Sequence, residues 1–433
     1  MGSPLARLKR ADRRQLWALV ERAAPRAATA LTSVALALLV SPEEVGVFAL
    51  GIVVLTLVQA LTDVGARQSL LLHWARGETR VFIRRFTAIA VPGSVLAMAG
   101  GLTVVALVAT GADRSSFALL IPLLVVPGLA ILSMPYMVGL QAGGHWRQAT
   151  TSQGIGAIAG LAVGLVVMIA TRSILGSAVQ FVVAEAVTLL LAASAGRRRI
   201  TPVDGEDAPG VARDYVLTSS YAVLGWGQGQ VDRLALGAWA GASTLGLYTF
   251  ASQVSRSLAE ASAQGTSSVL RADLGQTDSS ADRRTLGGIA SRAMVRSTFL
   301  VAGVATVSIV GAAVLALVLD PDWRPALLVV PLFAASGFGT AAAWNITALL
   351  QRLGLVARAM WVRIIGVGMA FPIAWAASHS LGLAASLVVL REIVVALLLG
   401  LACGRSAPVR GLVTACSWTA AFSLLGVVAL WIF

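Results

Sequence analysis

The stretch Leu247–Ala261 reads LYTFASQVSRSLAEA and places Arg256 and Glu260 four residues apart on one helical face. It lies in a chain whose apolar runs recur from end to end, each of about 17–25 residues and so long enough to cross a hydrocarbon core. A charge at the middle of a bilayer costs about 2.5–3.5 kcal/mol on insertion scales. Pairing at i,i+4 offsets part of that cost. Ser252, Gln253, Ser255, Ser257 and Ser262 make the rest of the segment polar. Such a helix belongs against other helices or a water-filled cavity, not against lipid. The surrounding sequence therefore reads as an all-α polytopic membrane protein with a polar interior.

Composition agrees. Of 433 residues, 57% are hydrophobic and 12% charged, with a mean hydropathy of +0.83; a soluble chain would carry about a quarter charged residues. The formal charge is +13 and the pI about 11.3. In a membrane protein that excess reflects topology and does not call for nucleic acid, because basic residues collect in cytoplasmic loops. Cys403 and Cys416 fall in late apolar segments and have neither disulfide-framework nor zinc-site spacing. The first apolar run carries charges and a proline and lacks a small-residue cleavage site, so it reads as a span, not a signal peptide.

Spans are expected at 15–40, 43–63, 82–109, 115–139, 149–171, 174–196, 214–239, 243–267, 286–318, 325–350, 355–378, 381–403 and 411–432. With the N-terminus cytoplasmic, inner segments hold 25 Arg or Lys and outer turns only Arg114, Arg172 and Arg324. That asymmetry sets the orientation. Every outer connection is short, so function is expected inside the bundle. The inner loops 197–213 and 268–285 are polar or Gly/Pro-containing linkers.

The two halves resemble each other. A shift of 200 residues sets VGVFAL (45–50) against LGLYTF (245–250), Gly65 against Gly265 and Arg84 against Arg284. The expected organisation is a cytoplasmic segment 1–14, a first six-helix bundle 15–196, a linker 197–213, a second bundle 214–404 and an extra C-terminal segment 405–433. An even number of spans per repeat makes the two six-helix repeats, 12 core spans in all, parallel. Repeats of that kind place a substrate site in a central cavity; the last segment is a thirteenth hydrophobic span.

Beyond those counted at the cytoplasmic ends of spans, five arginines fall within spans: Arg22, Arg26, Arg233, Arg256 and Arg391. The first four lie on spans one, seven and eight, beside Glu21, Asp232 and Glu260. These acids are candidates for ion coupling or for ion pairing, and inter-helix ion pairs that only fix the packing remain the alternative for the whole set. An excess of arginine suits an anionic group, since the planar guanidinium donates two parallel hydrogen bonds to phosphate. Arg391 beside Glu392 reads as a local structural pair. Gly225, Gly227 and Gly229 are expected to let span seven bend or unwind, and Pro127 and Pro135 to kink span four.

Other features have plain readings. Gly156, Gly160 and Gly164, spaced by four inside a span, mark close helix packing and not a nucleotide loop. His73, His145 and His379 form no metal constellation. Glu185, alone in span six, fits a coupling site or a polar inter-helix contact equally well. No nucleophile–base arrangement is visible, so no catalytic residue, metal or cofactor is expected.

Two stretches carry a family resemblance. LVSPEEVGVFALGIVVLTLVQALTDVGARQSLL (39–71) has a short acidic turn, Gly46 and Phe48, then Asp63 and Gly65. VDRLALGAWAGASTLGLYTFASQVSRSLAEA (231–261) has Asp232–Arg233, a small turn, Gly246–Leu247–Tyr248 and a polar span. Together they resemble the polysaccharide and oligosaccharide flippases of the multidrug/oligosaccharidyl-lipid/polysaccharide exporter superfamily, over about residues 10–404. The resemblance implies a pair of six-helix bundles around a cavity lined by spans one, two, seven and eight. It implies outward movement, by alternating access in a bacterial cytoplasmic membrane, of a polyprenyl-diphosphate-linked oligosaccharide. By position it makes Arg22, Arg26 and Arg256, and less directly Arg233, the cations that hold the diphosphate. Partners would be the lipid-linked oligosaccharide, the bilayer and a glycan polymerase or other assembly protein. The thirteenth span departs from the family plan. A cation-coupled multidrug antiporter of the same superfamily, a membrane glycan polymerase or ligase, and a non-transporting assembly scaffold stay open as alternatives.

Overall fold

The computed structural model describes residues 25–73, 80–109, 112–196, 209–277 and 282–432. Among these residues all regular structure is helical. Helices follow the order of the expected spans, residues 15–24 of the first lying outside the described residues: α1 (Pro25–Leu39), α2 (Pro42–Gln59), a π-helical turn (Ala60–Val64), α3 (Gly65–His73), α4 (Arg80–Val108), a 3₁₀ segment (Arg114–Val125), α5 (Val126–Ala142), α6 (Trp146–Thr171) and α7 (Leu175–Gly196). The order continues with α8 (Pro209–Trp239), α9 (Gly241–Gln276), α10 (Arg283–Leu315), α11 (Arg324–Leu328), α12 (Val330–Arg352), α13 (Val356–Gly368), α14 (Ala370–Ala377), α15 (Leu381–Ala402) and α16 (Val409–Ile432).

Ten helical segments among the described residues are long and apolar enough to cross a membrane, Val409–Val428 of α16 included. This is a multi-pass membrane protein. Helices α8 and α9 have the length, 31 and 36 residues, yet they are not among the ten because their faces are polar. On that account they are read as interior helices.

The described chain divides into two compact units. One takes in described residues of Met1–Ala28 and Leu39–Gln230, the other Thr29–Leu38 and Val231–Phe433. The boundary cuts α8 between Gln230 and Val231.

In the first unit the closest seam joins α6 and α7. A Cβ on Gly160 would stand 2.6 Å from the Gln180 carbonyl oxygen, one on Gly164 2.9 Å from that of Gly176, and one on Gly156 2.6 Å from that of Ala184. The glycines spaced by four are therefore what lets two backbones touch, a contact that lipid cannot supply by hydrophobic driving force. A second close approach involves Gly65, where a Cβ would lie 2.8 Å from the Ser219 nitrogen of α8.

Irregular winding sits elsewhere than expected. Gly225, Gly227 and Gly229 do not unwind α8, which runs unbroken from Pro209 to Trp239. A helix shielded from water keeps its own ladder because a freed backbone group would find no partner. The winding changes instead in the π turn at Ala60–Val64 and in the 3₁₀ segment before Val126. Pro127 stands in the first turn of α5, where its missing N–H costs no bond. Beside the π turn, Tyr215 Oη donates to the Leu61 carbonyl at 2.7 Å and Thr218 Oγ1 to that of Gly65 at 3.0 Å. Trp226 Nε1 donates to the Val53 carbonyl at 3.2 Å. The amino-terminal half of α8 is thus pinned to α2–α3 by side chains that reach main-chain acceptors.

In the second unit α12 is the central element, buried almost continuously from Val330 to Leu350. It packs on α9, α10, α15 and α16.

The α6–α7 seam makes a direct prediction. Gly160→Leu should lower the melting temperature in detergent strongly, at or above the roughly 1–3 kcal/mol usual for overpacking, since the obstacle is backbone. Gly154→Leu, whose Cβ would meet nothing within 4 Å, should melt like the parent.

Candidate functional site

Asp232, near the carboxyl end of α8, is 2% exposed. An isolated carboxylate there would be untenable, and three groups satisfy it. Its Oδ1 accepts the Arg233 backbone N–H at 2.9 Å, its Oδ2 accepts the Tyr248 hydroxyl at 2.7 Å, and Arg391 Nη1 approaches Oδ2 at 3.4 Å. Tyr248, of the Gly246–Leu247–Tyr248 motif, lies in the amino-terminal part of α9, so two motif residues sixteen apart in sequence are joined by a hydrogen bond. Tyr248 is held in place by an edge-on contact with Phe333 of α12, with centroids 5.0 Å apart.

Arg391, in the middle of α15, is 1% exposed. Its Nη2 and Nε reach Glu392 Oε1 at 3.0 and 3.3 Å. The Arg391–Glu392 pair is present, but it is not merely local: Arg391 ties α15 to α8, and Glu392 ties it to α9 and α12. Glu392 Oε2 accepts from Thr340 Oγ1 at 3.1 Å, and Arg256 Nη2 stands 3.5 Å from Glu392 Oε1. Gly339 makes the approach possible, because a Cβ there would lie 2.8 Å from the Glu392 carbonyl carbon.

Arg256 forms the outer part of the set. The same Nη2 lies 3.5 Å from Glu260 Oε1, the i,i+4 pair expected from the sequence, and donates to Thr340 Oγ1 at 3.3 Å. Its Nε is buried without a partner. The two acids flanking it differ in access: the Glu392 side chain is 4% exposed and that of Glu260 30%. Arg233 Nη2 donates to Ser252 Oγ of α9 at 3.1 Å.

Six charges thus share three helices, Asp232 and Arg233 on α8, Arg256 and Glu260 on α9, and Arg391 and Glu392 on α15, with Thr340 of α12 between them. Within this set three acids accompany three arginines, and Glu392 and Asp232 both reach guanidinium groups; the expected excess of arginine rested also on Arg22, which lies outside the described residues. Sequence reasoning set Arg256, Glu260, Asp232 and Arg233 on polar helices and read Arg391–Glu392 as a local pair, but it did not connect Arg391, Glu392, Tyr248 or Thr340 to them. The available signal was cost: two adjacent mid-span charges need partners as much as Arg256 does.

Arg26 lies in the first turn of α1 and is half-buried. Arg22 and Glu21 fall outside the described residues. In the first unit Arg67 pairs with Asp63 at 3.4 Å within the π turn and the turn that follows it. No group of three metal-binding side chains occurs among the described residues.

A family description, "Polysaccharide biosynthesis protein", matches residues 35–328. No curated protein matches the chain. Among solved structures, an inward-facing multidrug resistance MATE family transporter of the MOP superfamily aligns at 14% identity and a TM-score of 0.66, covering 95% of this chain and 98% of that one. The lipid II flippase MurJ in an inward closed conformation aligns at 11% identity and a TM-score of 0.63, covering 94% and 95%. An outward-facing MATE transporter aligns at 17% identity and a TM-score of 0.57, covering 94% and 96%. The fold is that of these transporters.

The network predicts unequal costs. Arg391→Gln leaves Asp232 and Glu392 buried and should destabilise by about 3–5 kcal/mol. Glu260→Gln, at the half-exposed edge, should cost less than about 1 kcal/mol. Chemical or thermal unfolding in detergent reads both.

Proposed function

Since the chain belongs to the polysaccharide biosynthesis protein family, we propose that it is a flippase. In this reading it moves a polyprenyl-diphosphate-linked oligosaccharide from the inner to the outer leaflet of a bacterial cytoplasmic membrane, by alternating access. The observation that carries the reading is the asymmetric setting of Arg256. One of its partners, Glu392, is locked in the interior, while the other, Glu260, is reachable. A carboxylate oxygen of Glu260 occupies the kind of position a phosphate oxygen would take. A diphosphate can exchange with it without leaving Arg256 unpaired, and the guanidinium has donors to spare.

Arg26 and Arg22 are the proposed contacts on the first span, with Arg233 as an outlying one. Asp232 and Glu260 are the proposed coupling or counter-ion carboxylates, with Glu21 beside Arg22. Residues 15–196 and 214–404 are the proposed six-helix bundles, 197–213 their linker and 405–433 an appended span. An inside-negative potential would favour outward movement of the diphosphate by about 2.3 kcal/mol per charge per 100 mV. Enzymatic glycan polymerisation has no support in the short outer turns.

Binding of a polyprenyl-diphosphate oligosaccharide to the protein in nanodiscs tests the reading. Arg256→Ala and Arg26→Ala should each lose at least ten-fold in affinity with folding intact. Arg256→Lys should keep part of it, because the charge remains and the fork is lost. Glu260→Gln should bind more tightly, as the competing carboxylate is gone. Unchanged binding in both alanine variants returns Arg256 to a purely structural pair.

A second reading is a multidrug antiporter, favoured by the MATE-like fold. There Glu260 would be the group that attracts a cationic substrate. In that case Glu260→Gln abolishes binding of a cationic dye and leaves the diphosphate lipid without affinity for the parent.

A further inference from the structure

Helix α10 and the carboxyl-terminal segment place six exposed arginines at one end of the second unit, Arg283 and five more. Arg284, Arg292 and Arg296 lie on α10, Arg405 in the 3₁₀ turn Gly404–Ser406, and Arg410 in the first turn of α16; all five are exposed. Neither α10 nor residues 404–433 contain an acidic residue. Other arginines at this end are occupied: Arg352 donates to the carbonyls of Leu274 and Thr277, and Arg358 to that of Ala402. The five have no such partner among the described residues.

The elements that carry them are packed together. The Gly411 N–H donates to Ser291 Oγ at 3.0 Å, and a Cβ on Gly411 would lie 2.7 Å from Met294 Cβ. A Cβ on Gly287 would lie 2.6 Å from the Ser406 carbonyl oxygen. Arg410 therefore begins α16 at the level where Arg292 follows Ser291 on α10. Beyond this level both helices turn apolar. Ser297–Leu315 covers about 28 Å of helix, close to the thickness of a hydrocarbon core. Arg292 and Arg296 consequently stand at the boundary between head groups and acyl chains.

The apolar residues past that boundary are exposed in register with the arginines. Phe299, Val307, Val310 and Val314 continue the outer face of α10, and Val413, Leu424 and Val428 that of α16. Phe299 meets Trp418 edge-on with centroids 6.0 Å apart, which closes the seam between the helices.

The geometry points to a binding site for an anionic glycerophospholipid on this flank, with its phosphate among Arg292, Arg296 and Arg410 and an acyl chain along the α10–α16 seam. A lipid phosphate supplies the missing acceptors, and its chains cover the seam. The site is independent of what the protein transports.

Native mass spectrometry of the full chain equilibrated with equal phosphatidylglycerol and phosphatidylcholine tests this. The parent should retain phosphatidylglycerol in preference. Arg292→Gln, Arg296→Gln and Arg410→Gln, singly and together, should reduce retention by roughly five-fold for each guanidinium removed. A charge-matched control, Arg114→Gln with Arg172→Gln and Arg324→Gln, should retain it as the parent does. Equal loss in the control shows a diffuse charge effect and overturns the site, as does undiminished retention in the single and triple variants. Displacement of the lipid by excess inorganic phosphate overturns it too, because the seam then contributes nothing. Should the triple variant misfold, the single variants carry the test.

Discussion

A guanidinium buried in the middle of α15 is the constraint from which the second unit follows. Moving an ion of this size out of water costs several kcal/mol even after relaxation, and only close, well-hydrogen-bonded partners offset it. Arg391 finds them in Asp232 and Glu392, which are as buried as it is. Each acid then needs further donors, and these come from Tyr248, Thr340 and Arg256. The chain of obligations ties α8, α9, α12 and α15 into one register. A slip of one helical turn on any of them would leave a charge in the interior with no partner, so the network selects an arrangement even where its net contribution to stability is small.

The first unit solves helix association by different means. Between α6 and α7 the glycines bring backbone to backbone, so dispersion over a long seam replaces ionic pairing. On α8 the neutral side chains Tyr215 and Thr218 reach carbonyls at the π turn and just after it, and Trp226 reaches that of Val53 in α2. A π bulge rotates the helix past it by one residue, which sets the heading of Asp63, Arg67 and Gly65. The aromatic and the glycine of the LVSPEE stretch therefore have packing roles, Phe48 against Phe181 and Gly65 against Ser219.

Much of this was readable in the sequence, for physical reasons that also mark where it stopped. Apolar length and the distribution of arginine located the helices, because a bilayer punishes any other arrangement. The Gly156–Gly160–Gly164 spacing announced its own seam, since a period of four keeps one face bare. The i,i+4 pair Arg256–Glu260 was equally local. The partners of Asp232 were not legible: Arg391 lies 159 residues away, and nothing in either segment specifies which mid-span charge meets which. The expected unwinding of α8 failed because glycine permits a break without requiring one, and the surroundings of Trp226 favour an intact ladder. The π turn left no trace in LTDVGA beyond a glycine and an aspartate, which are common at many other kinds of site.

Charge balance bears on how a protein of this kind could carry an anion at all. An open pocket of unpaired arginines would bind a diphosphate tightly in every conformation, and equal affinity in two states moves nothing between them. An arginine already paired is different. The incoming phosphate gains only the difference between itself and the carboxylate it displaces, and that difference can change sign when Glu260 moves relative to Arg256. In the proposed flippase, Glu392, held by Arg391 and Thr340, would keep Arg256 in place, and the tethered acid at the edge would be an internal competitor that returns when the ligand leaves. In the proposed flippase, release would be as much a property of Glu260 as capture is of Arg256, and the buried part of the network would be the fixed frame against which that exchange is made.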